Sequence, residues 1–209
     1  MKHMLNVVAE NEAGNWFLAF DPATATLTHW QPLALEALEA FIQADIDALF
    51  ASLPPLTPGR PGPYSRSDMT IMGQDDQGRI LFACAALATS WDGTEDSDGY
   101  GYFRSTRYRF RIVEVTSTSV IPVAEVNRSS LRKQASNLNG RIIGTYNGLA
   151  YFTCSAPVAE NHTKPLVITL AADGPRADAI AEDGYFPAYA FFNYGPDVRL
   201  ISIDNSQPE

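Results

Sequence analysis

Residues 79–111 read "RILFACAALATSWDGTEDSDGYGYFRSTRYRFR". From Arg79 to Ser90 the chain is apolar at odd and even positions alike, as a central strand covered on both faces must be. From Tyr102 to Thr116 it alternates instead. Successive side chains of a strand point to opposite faces, so Arg107, Arg109 and Arg111 share one face while Tyr108, Phe110 and Ile112 share the other. Between the two segments, Asp92, Glu95, Asp96 and Asp98 crowd a glycine-bearing stretch that reads as a hairpin tip. Two long antiparallel strands joined by an acidic turn are the centre of the expected fold.

Working outward, "GQDDQG" at 73–78 joins a strand at Asp68–Met72 to the central one, and a strand at Ser119–Val126 follows. Asn147-Gly148, between Arg141–Tyr146 and Leu149–Ser155, is the strongest two-residue hairpin signal in the chain. Strands are also expected at Leu5–Ala9, Trp16–Phe20, Thr24–Trp30, Leu166–Ala171, Tyr185–Tyr194 and Val198–Asp204. From Leu33 to Leu53 the period changes. Leu35, Leu38, Phe41, Ile42, Leu49 and Leu53 share one side and Glu36, Glu39, Gln43 and Asp47 the other, which predicts an amphipathic helix with Pro32 at its first turn. Residues 54–66, rich in proline and glycine, read as a surface connector. Short helices are expected at Ser130–Asn137, capped by Ser129 or Ser130, and near Arg176–Glu182. The expectation is one domain over 1–209. Its class is α+β, mainly antiparallel β with a two-layered sheet core, one amphipathic helix near the N-terminus and short helices between strands.

The longest apolar run, Ile80–Ala88, is half of what a membrane-spanning helix needs, and Met1–Glu10 lacks the pattern of a signal peptide. A cytoplasmic, membrane-free protein is therefore expected. Cys84 and Cys154 sit in apolar strand-like runs, where a free buried thiol is the expected state. Net charge is −9, divided as −10 over residues 1–100 and +1 over 101–209. Such a molecule repels duplex nucleic acid at long range. Within 104–141, however, Arg104, Arg107, Arg109, Arg111, Arg128, Arg132, Lys133 and Arg141 outnumber Glu114 and Glu125.

With only three histidines, His-built and Cys-built metal sites lack their raw material. Phosphate-binding loops, dinucleotide fingerprints, nucleophile elbows and zinc-protease motifs are all missing. Two sets of residues retain chemistry. Asp92, Glu95, Asp96 and Asp98 are oxygen donors of the type that calcium or magnesium takes, although their spacing departs from the EF-hand loop. A solvated hairpin tip is the plainer reading of them. The row Arg107, Arg109 and Arg111 repels itself and so demands a counter-anion. That anion is either a carboxylate of this chain or a ligand phosphate or carboxylate, for which the guanidinium fork is well shaped. Arg128, Ser129, Ser130, Arg132 and Lys133 would extend an anion site if the two basic segments meet.

Two functions follow as expectations. One is a non-enzymatic binding protein that captures an anionic small molecule, nucleotide-like in chemistry, or an acidic partner surface, acting by inhibition or sequestration. The other is a divalent-metal-dependent hydrolase or transferase built on the acidic loop at 92–98.

Overall fold

The computed structural model describes residues 5–55, 62–95, 102–133, 141–159, 162–176, 188–192 and 199–203. A three-stranded meander comes first: β1 (Leu5–Asn11), β2 (Gly14–Asp21) and β3 (Thr26–Leu33). The helix α1 (Leu35–Ala51) follows, and then a four-stranded sheet in chain order. Its strands are β4 (Tyr64–Gln74), β5 (Ile80–Glu95), β6 (Tyr102–Val115) and β7 (Val120–Lys133). A second four-stranded sheet contains β8 (Arg141–Tyr146), β9 (Leu149–Ala159), β10 (His162–Ala171) and β11 (Gly174–Arg176). The pair β12 (Ala188–Phe192) and β13 (Arg199–Ile203) closes the list. Every strand pairing among the described residues is antiparallel. Among the described residues the fold is thus mainly antiparallel β with one helix, and no helix there is long and apolar enough to cross a membrane.

The uniform apolarity of β5 has a direct structural cause. Ile80, Phe82, Cys84, Ala86 and Ala88 join Leu38, Ile42, Ile46 and Leu49 of α1 in one buried cluster, which also takes in Phe17, Ala19 and Leu33 of the meander. Leu81, Ala83, Ala85 and Leu87 point the other way. They meet Tyr108, Phe110 and Ile112 of β6 and Ala150, Phe152, Cys154, Ile168 and Leu170 of the second sheet. Burial on both faces removes any polar alternative for this strand. The two cysteines lie in different clusters and form no disulfide.

α1 starts two residues later than the sequence suggests, because Pro32 belongs to β3, where an edge strand tolerates its missing N–H. No side chain caps the start of the helix. Instead the Ala34 N–H donates to the Thr116 carbonyl at 2.9 Å, fastening the helix start to the end of β6. At the other end the Ser52 hydroxyl donates to Leu49 O at 2.7 Å before Pro54-Pro55 stops the helix. The Ser90 hydroxyl holds Pro54 O at 3.1 Å. The helix therefore runs from the Thr116 end of β6 towards its Ser105 end.

Both hairpin signals are realised. Asn147 (φ 50°) and Gly148 (φ 76°) both take the left-handed conformation that a tight two-residue turn needs. Between β4 and β5, Asp75 Oδ1 accepts the N–H groups of Gln77 and Arg79, and its Oδ2 lies 2.8 Å from Arg79 Nε and 2.7 Å from Nη2. Burial pushes the Asp75 carboxyl up, but hydrogen bonds from Arg79 and Gln77 together with the Arg79 charge outweigh it and hold the group below its ordinary 3.8. A carboxyl depressed on folding stabilises above its unfolded pKa, and that contribution disappears as pH falls through its folded pKa. Asp75→Asn should therefore lower the melting temperature at neutral pH. Its gap from the wild type should close as the pH drops below 3.8, in a series of thermal melts.

Three expectations are corrected here. Residues 130–133, read as the start of a helix, are the last rungs of β7, paired from Thr106↔Ser130 to Phe103↔Lys133; 134–137 lie outside the described residues. The 14-residue β6 presents backbone groups along its whole length, and pairing with them outweighs a serine cap signal. Arg176 ends the edge strand β11, and 177–182 lie outside the described residues. The connector is shorter than 54–66, since β4 has already begun at Tyr64.

Candidate functional site

Residues facing each other in a sheet share a face, so the pairings of β4 to β7 form rungs across the side that α1 covers. One rung is Ser65, Ala88, Arg107 and Ser129; the next is Ser67, Ala86, Arg109 and Asn127; the third is Met69, Cys84, Arg111 and Glu125. The arginine row thus projects towards the helix. Alanines beside it at 86 and 88 leave room for long side chains to lie across the sheet.

The counter-anion is Asp45, from the buried side of α1. Its Oδ1 accepts from Arg109 Nη1 at 2.8 Å, and its Oδ2 lies 3.0 Å from Arg111 Nε. The second approach is off the line of the N–H, which makes it a Coulombic contact rather than a hydrogen bond. Arg109 Nε donates to Asn127 Oδ1 at 2.9 Å, and Arg111 Nη2 stands 3.0 Å from Glu125 Oε2. The Arg111 guanidinium also lies over the Phe41 ring, 5.0 Å from its centroid. With side chains only 10% (Asp45), 14% (Arg111) and 21% (Arg109) exposed, this is a shielded network; Glu125, at 50%, is its solvent rim.

Arg107 differs. Its one described contact is a 3.4 Å approach of Nη1 to the carbonyl of its neighbour Thr106, and no carboxylate among the described residues is in ion-pair range. Among the described residues, three guanidinium groups thus meet two carboxylates, and the excess positive charge sits at the Arg107 end. The carbonyl end of α1 lies on that side but supplies only a fraction of a charge.

The other sequence-derived residues are distributed as follows. Arg128, Ser129, Ser130, Arg132 and Lys133 run along β7 beside Tyr108 to Phe103, so the two basic segments are adjacent strands; they do not face each other across a cleft. By register Ser129 is the rung neighbour of Arg107, and position 128 pairs with Tyr108. Asp92 and Glu95 belong to β5, while Asp96 and Asp98 lie outside the described residues. Among the described residues no group of three or more His, Cys, Asp or Glu side chains is placed to hold a metal ion. The Cys84 thiol is pushed up to about 12, chiefly by burial and further by the Asp45 charge, against the opposing pull of Arg111. It is not a nucleophile near neutral pH.

Sequence reasoning missed Asp45 because it followed the apolar residues of the helix alone. The signal was present: Asp45 stands three residues after Ile42 and four before Leu49, on the same stripe. A carboxylate on an apolar stripe, in a chain with an arginine row, is a pairing cue. With the geometry in hand, comparison with known proteins finds no matching family model, no matching curated protein and no matching solved structure.

Proposed function

We propose that this is a non-enzymatic binding protein that captures an anionic group at the Arg107 end of the row. The group would be carried by a nucleotide-like small molecule or by an acidic partner surface. The observation that carries this reading is the Arg107 guanidinium, which has no carboxylate in ion-pair range among the described residues, beside two neighbours that have one. The β7 segment Arg128–Lys133 runs along the same end of β6, and a guanidinium on a rigid strand is a good fork for phosphate or carboxylate. Arg109 and Arg111 serve as the frame.

A thermal-shift series separates frame from site. ATP or inorganic phosphate should raise the melting temperature of the wild type, and Arg107→Ala should abolish that rise while leaving the unliganded protein nearly as stable. Arg109→Ala should lower the unliganded melting temperature, because it removes a partner of Asp45. Stabilisation that survives Arg107→Ala, or none at all, would refute the assignment. A response to calcium, magnesium or manganese alone, lost in Asp96→Ala, would move the function to the acidic loop.

A further inference from the structure

The meander β1–β3 has two unlike faces. Phe17 and Ala19 of its central strand, with Leu33 of β3, point inward and join α1 in its buried cluster. The residues between them point outward. Strand pairing sets Leu5, Phe20 and Leu27 side by side on one outward rung and Val7, Leu18 and Trp30 on the next, with Trp16 between Ala9 and Pro32 on a third. All of them are apolar, where a sheet with one solvated face ordinarily alternates to polar residues. No charged side chain stands on these rungs. The half-buried Trp16, Leu18 and Phe20 pack against neither buried cluster among the described residues. Around them Leu5 is 56% exposed, Val7 38%, Leu27 47% and Trp30 61%. A lone exposed leucine is ordinary, whereas a contiguous apolar face marks an interaction surface.

We infer that this face is a homodimer interface, in which two copies of the chain stack their meanders face to face about a two-fold axis. Such a contact sets a surface against itself, so a charged side chain near the axis meets its like. Rungs without charge satisfy that condition, on a molecule whose net charge is −9. The same net charge repels an anionic lipid surface, which disfavours a membrane as the occupant. Size agrees as well. Three strands of seven or eight residues measure roughly 25 Å by 14 Å. With the relief of the side chains included, two such faces bury on the order of 1,000 Å², the lower bound of a specific interface. Stacked sheets interdigitate their side chains across about 10 Å. With the axis along β2, the β3 of one copy lies over the β1 of the other, and the tall Trp30 meets the shorter Val7 and Ala9.

Sedimentation velocity on the full chain should show a monomer–dimer equilibrium with a dissociation constant on the order of 10–100 µM, as suits a small apolar contact. Amide chemical shifts that move with concentration should map to residues 5–9, 16–20 and 27–32. Raising sodium chloride from about 0.05 M to about 0.5 M should tighten the dimer several-fold, because the copies repel through their net charge and screening removes that cost. Trp30→Glu should weaken it at least about tenfold, since it buries a carboxylate in an apolar contact. At a concentration where the wild type is monomeric, the variant should melt together with it. Should it misfold, Leu27→Glu, at another exposed position, gives the second reading. A chain that stays monomeric at millimolar concentration, a dimer indifferent to both substitutions, or one that salt loosens would overturn the inference. So would capture of a monomer by uncharged phosphatidylcholine vesicles, which would make a lipid surface the occupant. None of these results bears on the Arg107 site, because both substitutions lie on β3 and that site on β6.

Discussion

Asp45→Ala is expected to unfold this protein at a markedly lower temperature than any substitution on the solvent side of α1. The change removes the carboxylate that Arg109 and Arg111 share, leaving the largely shielded Arg109 with only the neutral Asn127 and Arg111 with Glu125 at the solvent rim. Breaking a shielded ion pair from one side costs about 3–5 kcal/mol, because the remaining charges keep their desolvation penalty and lose their partner. At roughly 2–4 °C per kcal/mol for a chain of this length, the loss corresponds to roughly 6–20 °C. The triple change Asp45→Leu, Arg109→Met and Arg111→Met should recover most of it, since removing all charges at similar volume also removes the penalty. That contrast, read from urea or thermal denaturation, distinguishes a charge network from ordinary packing. A loss for Asp45→Ala below about 1 kcal/mol, the scale of an exposed pair, would show that water already screens it.

Phe110→Ala should be comparably severe for a different reason. Phe110 is fully buried between the two sheets, with ring centroids 4.7 Å from Phe152 and 6.0 Å from Tyr108. Truncation removes a whole ring from water-free surroundings and leaves a cavity that two sheets cannot close, at about 3–5 kcal/mol. Trp30→Ala is the control: a larger ring, but 61% exposed, and so expected to change stability by only about 0.5 kcal/mol. If the two variants melted together, the interface between the sheets would not be the stabilising core. Phe110 and Arg109 alternate on the same strand, so their variants also separate the two sides of the sheet. Phe110→Ala should depress stability while leaving the Arg107 response to phosphate in place, wherever the protein remains folded.

Much of this architecture is legible residue by residue. The run Ile80–Ala88 announces a strand buried on both faces, because nothing polar interrupts either set of alternate positions. Asn147-Gly148 announces its hairpin, because few other pairs tolerate two left-handed residues in a row. The stripe from Leu38 to Leu49 announces its helix by period. Residues 130–133 misled for a physical reason: cap signals are local and worth about 1 kcal/mol, whereas a long neighbouring strand supplies a backbone partner at every second residue.

The sequence by itself determined most of the strands, the two marked hairpins, the amphipathic helix and the fact that three arginines share a face, because those follow from periodicity and from the conformations that individual residues allow. It could also say that such a row needs a negative partner. Which partner, and for how many of the three, was decided only when α1 crossed the sheet and brought Asp45 against Arg109 and Arg111 from 64 residues away along the chain in the first case. The same crossing left Arg107 with no carboxylate in ion-pair range among the described residues. Charge pairing across such distances depends on where the packed elements come to rest, and no local pattern encodes that.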